Sequence, residues 1–556
     1  MAEKLVSPGV FTRENDLSFL QQGVADIGAA FIGPFKEGPV VPTIVNSQAE
    51  FTQLFGAADG TYYTPLAVQN YLREAGTATI CRVAGVGGYT AGKPLMVIGA
   101  HGGVTSSLAI LFPTGSSLTG LSGSTIISDI SGGVVELTDI ESTYGTSPFG
   151  SKSGYAYGVF KNTAVTESIA TASVVVLDEQ DFTFDAQEAL TPMIKSQEIS
   201  GERYDLFQFE TLGVGNSANT KVKIGISNVK AAGSVNGTDY GTFTVVVRDF
   251  NDTEKKKVVL ETYSNVNLDP NSPNFISRVI GDRRLSIDAL GKITETGDWV
   301  NNSKYVRVSS LNVNAPVQAV PFGHAAYKLP VVAGANNSLI PVVTFVTASA
   351  TQNGGIDLDL NNDNKIYLKP IPVSATVGSN SVFGLDAANG GTLSVGSTSA
   401  QFVVAFQEGF DGIAPITPIK LGADILPGNT QGLDCTNATS SGSVAYGKAI
   451  SALSNSDEFD INMVVAPGIN KADHSSVWTS ILDMVEQRAD AFFIADAGNA
   501  NTSLTETVTK AGEVDSNYAA VYYPWVKTID VNTNKLITVP PSVLLPGVFA
   551  SNDRVA

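Results

Sequence analysis

Two cysteines, three histidines, three tryptophans and five methionines are all that 556 residues contain of these types. Cys81 and Cys435 cannot build a disulfide framework in a chain this long, and folding in a reducing cytosol is the simpler reading. His101, His324 and His474 lie far apart, and none has a partner at metal-ligand spacing. Charge is also sparse, at 16% against the usual ~25%. Basic residues are scarcer than acidic ones: 34 Lys and Arg stand against 53 Asp and Glu, a net charge of −19. Phosphate neutralisation needs clustered Lys and Arg, so this balance argues against nucleic acid as a main partner. It argues equally against an anionic membrane surface. No run of about 18 apolar residues occurs, so no segment reads as membrane-spanning. Met1-Ala2-Glu3-Lys4 leads into a Ser-Pro-Gly turn rather than an apolar signal segment.

Apolar residues and glycine are plentiful, at 43% hydrophobic and 54 Gly. The length implies several domains with real cores. Few charges with much Gly, Ser, Thr and Asn suit a β-rich protein with many turns and large buried subunit contacts. The negative charge is expected to keep free subunits apart, so that assembly needs a template or salt.

Along the chain, residues 1–22 read as an extended arm. Pro8 and Gly9 discourage helix, and Val10-Phe11-Thr12-Arg13 form a short strand pattern with no local partner. Such a strand can join another chain's sheet edge, and a disordered terminus fits the same residues. Residues 23–95 read as α/β. Ile27 to Phe35 is an apolar strand, and Ser47 to Phe55 a short helix stopped by Gly56. A second helix is predicted with Thr64 as N-cap, Pro65 at its first position and Gly76 past its end. Ala78 to Ala84 is the next strand.

Residues 96–400 alternate short β-like runs with Gly, Ser, Asn and Thr clusters. They read as two β-rich insertions, 96–200 and 201–400. Thr242 to Arg248 and Lys256 to Thr262 form a hairpin around Asn251-Asp252, and Asn271 to Gly281 holds a short helix. Residues 401–556 return to βαβ alternation. Ile461 to Ala466, Phe492 to Ala495 and Ala519 to Tyr523 are strands. A helix capped by Ser475 or Ser476 carries Val477, Trp478, Ile481, Leu482 and Val485 on one face. Leu504 to Lys510 is the next helix. A parallel or mixed sheet follows. The simplest architecture joins this segment to 23–95, giving an α+β multidomain protein with a discontinuous α/β core.

Motifs for chemistry are incomplete. Gly87-Gly-Tyr-Thr-Ala-Gly92-Lys93-Pro94 and Gly442-Ser-Val-Ala-Tyr-Gly447-Lys448-Ala449 have the spacing of a phosphate-binding loop. Both lack the hydroxyl residue that must follow Lys to hold Mg²⁺. Asp357-Leu-Asp359-Leu-Asn361-Asn362-Asp363 opens like a calcium loop, but Asn362 and Leu368 replace the required Gly and Glu. It reads as an acidic turn between strands. Asp473-His474 reads as the approach to a helix N-terminus. Cys81 reads as a small core residue, and Cys435 as a thiol in a Gly- and Thr-rich loop, open to exposure but with nothing nearby to activate it. Lys255-Lys256-Lys257 reads as a solvated hairpin edge. Pro467-Gly468-Ile469-Asn470 and Asp496-Ala497-Gly498-Asn499 read as loops after strands, where open α/β sheets bind ligands. No catalytic residue, cofactor or metal ligand is assigned.

Several stretches, in order, resemble one family. They are Ser7-Pro8-Gly9-Val10-Phe11, Ala30-Phe-Ile-Gly33-Pro34-Phe-Lys-Glu-Gly38-Pro39, the helix pair Phe51 to Gly76, and Ile80-Cys-Arg82-Val83. Gly241 to Thr262, Asn267-Leu-Asp-Pro-Asn, Gly409-Phe-Asp411-Gly412, the segment 459–523 and Val539-Pro540-Pro541…Pro546-Gly547-Val548-Phe549-Ala550 complete the set. Together they resemble contractile tail sheath proteins of myovirus-type bacteriophages.

The resemblance implies a structural subunit, not an enzyme. The discontinuous core would face a tail tube, and β-rich domains would face outward. Terminal arms would add strands to neighbours' sheets, Ser7, Pro8, Gly9, Val10 and Phe11 belonging to one of them. The implied partners are further copies in a helical homopolymer, the tail tube protein, and baseplate and tail terminator proteins. The implied location is the virion's tail sheath, after assembly in the host cytoplasm. A metastable extended sleeve would contract by rigid-body subunit rotation without ATP. Past Asn552-Asp553-Arg554 the family continues into a further domain, which implies a truncated or processed chain, or a sheath whose remaining part lies elsewhere. Two competing readings remain: a surface-layer or adhesin component, from the acidic β-rich middle, and an α/β nucleotide enzyme or hydrolase, from the loops after strands.

Overall fold

A computed structural model of the chain describes residues 28–88, most of 184–324 and of 402–555, and short strand segments between 95 and 176 and between 356 and 368. The arm residues Ser7 to Phe11 lie outside the described residues. The chain is mixed α/β, with several sheets.

The N-terminal stretch gives β1 (Gly28–Gly33), β2 (Thr43–Val45), helices α1 (Gln48–Phe55) and α2 (Tyr63–Leu72), and β3 (Ala78–Arg82). Ser47 caps α1 by accepting the Glu50 N–H, and Glu50 reaches back to the Asn46 N–H, so two orphan donors are satisfied. α2 starts earlier than predicted. Tyr62 is its N-cap, and Thr64 lies inside its first turn. The cause is tertiary: Thr64 is packed against Gly33 so closely that a Cβ there would lie 2.1 Å from its Oγ1.

The middle stretch gives β4 (Glu188–Leu190), β5 (Ile194–Ser196), β6 (Asp205–Val214), β7 (Val222–Lys230), β8 (Thr242–Asp249) and β9 (Val259–Asn267). A one-turn helix α3 (Ile276–Ile280) precedes β10 (Val306–Ser309) and β11 (Pro321–His324), and β12 (Phe402–Ala405) follows much later. The predicted hairpin is present as β8 and β9, but its second strand begins at Val259 and runs to Asn267. β7, β8, β9 and β12 make a four-stranded antiparallel sheet in the order β9-β8-β7-β12. β10, β6, β5 and β11 pair in that order, and β4 adds to β6. These pairings run across residues 200 and 400, so the sheets do not part there. One apolar cluster, including Phe207, Phe209, Ile224, Phe243, Val266 and Phe402, is shared by both sheets. A separate antiparallel sheet is built from Leu95–His101, Val104–Pro113, Gly150–Lys152, Tyr155–Val159 and Thr171–Val176.

The C-terminal stretch gives α4 (Ser441–Ala452), β13 (Ile461–Asn470), α5 (Ser475–Arg488), β14 (Phe492–Asp496) and α6 (Leu504–Gly512). The hairpin β16 (Val526–Ile529) and β17 (Leu536–Val539) follows β15 (Ala519–Tyr522), and helix α7 (Leu545–Val555) comes last. Strands from both ends of the described chain form one sheet, in the order β2-β3-β1-β13-β14-β15. β1 runs parallel to both β3 and β13, with Ala29 opposite Met463 and Phe31 opposite Val465. β2 alone runs antiparallel, against β3.

This sheet is buried on both faces, which explains its continuous apolar strands. Ala30, Ile32, Val464 and Ala466 point to α4 and α5, while Ala29, Phe31, Met463 and Val465 point to α1 and α2. Trp478 on α5 stacks at a tilt on Phe493 at 5.4 Å, and Tyr71 on α2 meets Phe31 at the same distance. β13 is longer than predicted. Pro467-Gly468-Ile469-Asn470 is no loop but the end of the strand, with a register shift and Gly468 at φ +93° that lets it continue.

Candidate functional site

The carboxyl ends of β1 and β3 carry a polar meeting point between the core sheet and the middle stretch. Arg82, the last residue of β3, is only 3% exposed. Its Nε donates to the Phe35 carbonyl at 3.2 Å. Its Nη1 donates to the carbonyls of Gly38 and Val214, both at 2.6 Å, and its Nη2 to Asp411 Oδ1 at 3.2 Å. One side chain thus ties together the turn after β1, the end of β6 and the segment after β12. Burial pulls the guanidinium below its ordinary pKa, and Asp411 opposes that pull.

The backbone reinforces the joint. Gly85 donates to the Asp411 carbonyl and Val214 to the Gly38 carbonyl, at 2.9 and 3.0 Å. Gly412, at φ +73°, lies so close to Gly85 that a Cβ on Gly85 would meet the Gly412 carbonyl carbon at 2.4 Å. The Gly409-Phe410-Asp411-Gly412 stretch is therefore placed at the joint, where a side chain at either glycine would drive the segments apart.

Beside it a cleft of about 240 Å³ opens between the 37–54 segment and the middle sheets, walled by Pro39, Val41, Leu54, Leu212 and Leu285. Several of its charges are paired. Lys221 pairs with Glu37 at 3.0 Å and donates to the Gln53 carbonyl. Arg307 pairs with Glu210 at 2.9 Å and Glu188 at 3.2 Å, and Arg283 with Glu295 at 2.8 Å. The cleft reads as a seam.

A second ionic cluster was not legible. Asp252, read as a turn residue, is buried, and its carboxylate holds Lys223 at 2.8 Å and Arg248 at 2.7 Å. Burial alone would raise this carboxyl. Hydrogen bonds from Arg248, Lys223 and the Val258 N–H outweigh it and hold the pKa below the ordinary value.

The two phosphate-loop near-matches meet in space on a carboxylate. Gly87 N–H donates to Asp185 Oδ1 at 2.8 Å, and Lys448 Nζ to Oδ2 at 2.6 Å. Gly442 to Lys448 lie within α4, so that stretch is helix and not an anion-cradling loop. Gly92, Lys93 and Pro94 lie outside the described residues. So does Lys255, while Lys256 and Lys257 are exposed ahead of β9. Asp357 sits in Ile356–Leu358, which pairs antiparallel with Ile366–Leu368, and the residues between lie outside the described ones.

Cys435 is buried in its loop, and burial pushes its thiol up to about 12. Cys81 is buried as expected, and its thiol is raised further. His474 is the N-cap residue of α5, in place of the predicted serines. Its Nδ1 accepts the Asn470 N–H, and burial lowers its pKa to about 4. His324 is buried in β11, and His101 ends the Leu95–His101 strand. At the carboxyl ends of β13 and β14, Asp496 is buried under the 3₁₀ turn Pro541–Val543, whose Ser542 donates to it. The place where an open α/β sheet binds ligands is here filled by the chain itself. Among the described residues no group of three His, Cys, Asp or Glu gathers as a metal site requires, and no helix is long and apolar enough to cross a membrane.

No protein-family model matches the chain. No curated protein matches it either.

Proposed function

We propose that the chain is a structural subunit of a phage contractile tail sheath. The reading rests on the sequence resemblance, and one structural observation supports it. β1 pairs in parallel with β13, more than four hundred residues later in the chain. The fold is then a discontinuous α/β core, with the β-rich stretch of roughly 95–405 inserted between its halves. Both termini of the core belong to one rigid sheet, and Arg82 fastens the insertions to it. Such a body suits a subunit that moves as a unit while its outer contacts exchange.

In this reading copies of the chain polymerise helically around a tail tube through heterologous contacts that do not close. A baseplate signal releases a wave of subunit rotations into a shorter, wider sleeve. The work comes from many subunit contacts, each re-formed at modest free energy, and not from a nucleotide. The residues Ser7 to Phe11 act as the arm that keeps neighbours joined.

Negative-stain microscopy of the purified chain at rising salt, with immunolabelling of phage tails, tests the proposal. Hollow sleeves or rings and label along the tail are expected. A chain that stays monomeric at every salt concentration and is absent from tails contradicts it.

A further inference from the structure

Asp496 closes β14 and is 2% exposed. Its Oδ2 is 2.5 Å from Ser542 Oγ, and its Oδ1 accepts the Ser542 N–H at 3.2 Å. Ser542 is 1% exposed and belongs to the turn between β17 and α7. That turn rests on α2, β13 and β14, and carries the fully buried Val543. This carboxyl ties the head of residues 540–555 to the end of the core sheet, beside the apolar packing of Val543 and Phe549 and an Arg554–Glu74 ion pair at 2.6 Å.

No cation among the described residues reaches this carboxyl. Asn470 is its partner across β13 and is neutral. Lys471 offers only its N–H, to the Asp496 carbonyl, while its ammonium lies 4.6 Å over the Trp478 ring. His474 is held neutral by burial, and the Asp473 carboxylate is occupied by the Asn470 and Asn499 amides. On the far side Tyr522 is the register partner in β15, and Trp525 donates to the Gly498 carbonyl. Burying an ionised carboxylate with two hydrogen bonds and no counter-charge is costly, whereas the protonated acid satisfies the same pair.

We propose that Asp496 and Ser542 form a proton-dependent latch, closed when the carboxyl is protonated and loosened when it ionises, that docks residues 540–555 on the core sheet. The direction agrees with burial, which raises the Asp496 pKa from 3.8 to about 7, the two Ser542 hydrogen bonds opposing the rise. In the undocked state the carboxyl is solvated and ionises near 3.8. The docked state therefore binds the extra proton between these values, and docking weakens as pH rises from about 4 to 7. Acid loosens an ordinary buried carboxylate; here it is base that does so. The latch does not depend on the sheath reading, since it concerns the chain's own fold.

Hydrogen exchange by mass spectrometry on the full chain, corrected for the intrinsic pH dependence of exchange, tests it. Opening of peptides covering 540–555 is expected to rise by roughly tenfold or more between pH 5 and pH 7, with α5 unchanged as internal control. Asp496→Asn keeps a donor and an acceptor toward Ser542 and is expected to flatten that dependence. Should Asp496→Asn not fold, wild type still decides. Protection of 540–555 that is constant or increases over this range overturns the latch, as does a loss shared equally by α5. An Asp496→Asn protein that keeps the wild-type pH dependence overturns it too.

Discussion

The core sheet and the four-stranded middle sheet bury their polar groups by opposite means. In the middle sheet Asp252 holds two cations, Lys223 and Arg248, and the cluster is ionic throughout. At the end of the core sheet, among the described residues, the Asp496 carboxyl meets Ser542 and no cation. The sheets differ in construction as well. The core is parallel except for β2, covered on both faces, and drawn from both ends of the described chain. The middle is antiparallel, and its edge strand β9 leaves Val259 half exposed. The parallel sheet depends on long-range closure and the antiparallel one mostly on neighbours in sequence. Low and high pH should therefore strain different regions.

The largest effect that would sharpen this contrast is Asp252→Ala. It strands Lys223 and Arg248 in the interior and is expected to cost about 3–5 kcal/mol, read as lost exchange protection in β7 to β9 with β13 spared. A change below about 1 kcal/mol would mean the cluster is not the fastening it is taken for. Next is Arg82→Ala, which leaves the carbonyls of Phe35, Gly38 and Val214 without their donor. It is expected to cost about 3 kcal/mol in urea unfolding and to separate the exchange behaviour of β6 from that of β3. If β3 and β6 still open together, Arg82 does not couple the regions.

The pH comparison is smaller in size and sharper in sign. Asp252 has a depressed pKa, so its contribution is present above the unfolded value and lost as pH falls. Asp496 has a raised one, so its contribution is largest in acid and lost as pH climbs from 3.8 toward about 7. Relative to wild type, Asp496→Asn is expected to gain about 3 kcal/mol in unfolding free energy at pH 7 compared with pH 4. No relative gain would break the comparison. The smallest effect is local: Ser47→Ala removes the α1 cap and is expected to cost about 1 kcal/mol, confined to α1 and its contacts.

Much of the core was legible because its signals are local. The apolar runs at 28–33 and 461–466 and the spacing of Val477, Trp478, Ile481 and Val485 follow from burial on one or both faces. The joint was half legible. An arginine inside Ile80-Cys81-Arg82-Val83 is conspicuous, but nothing in sequence says that its acceptors lie at Gly38 and Val214. Asp252 hid inside a good turn signal, and the informative residues were instead Lys223 and Arg248, opposite each other on apolar strands. The sequence marks Asp496 only as the start of a loop after a strand, and nothing in either neighbourhood pairs it with Ser542. The misplaced start of α2 has the same origin: Pro65 suits a first turn at several positions, and Gly33 decides which one Thr64 takes.

The most direct measurement is native-state hydrogen exchange at rising denaturant, resolved to β1, β3, β13 and β14. If both ends of the described chain form one sheet, these four strands lose protection in a single step with one free energy, apart from β7 to β9. If β1 and β3 open at a different denaturant concentration from β13 and β14, the sheet is not shared, and the discontinuous core falls with it.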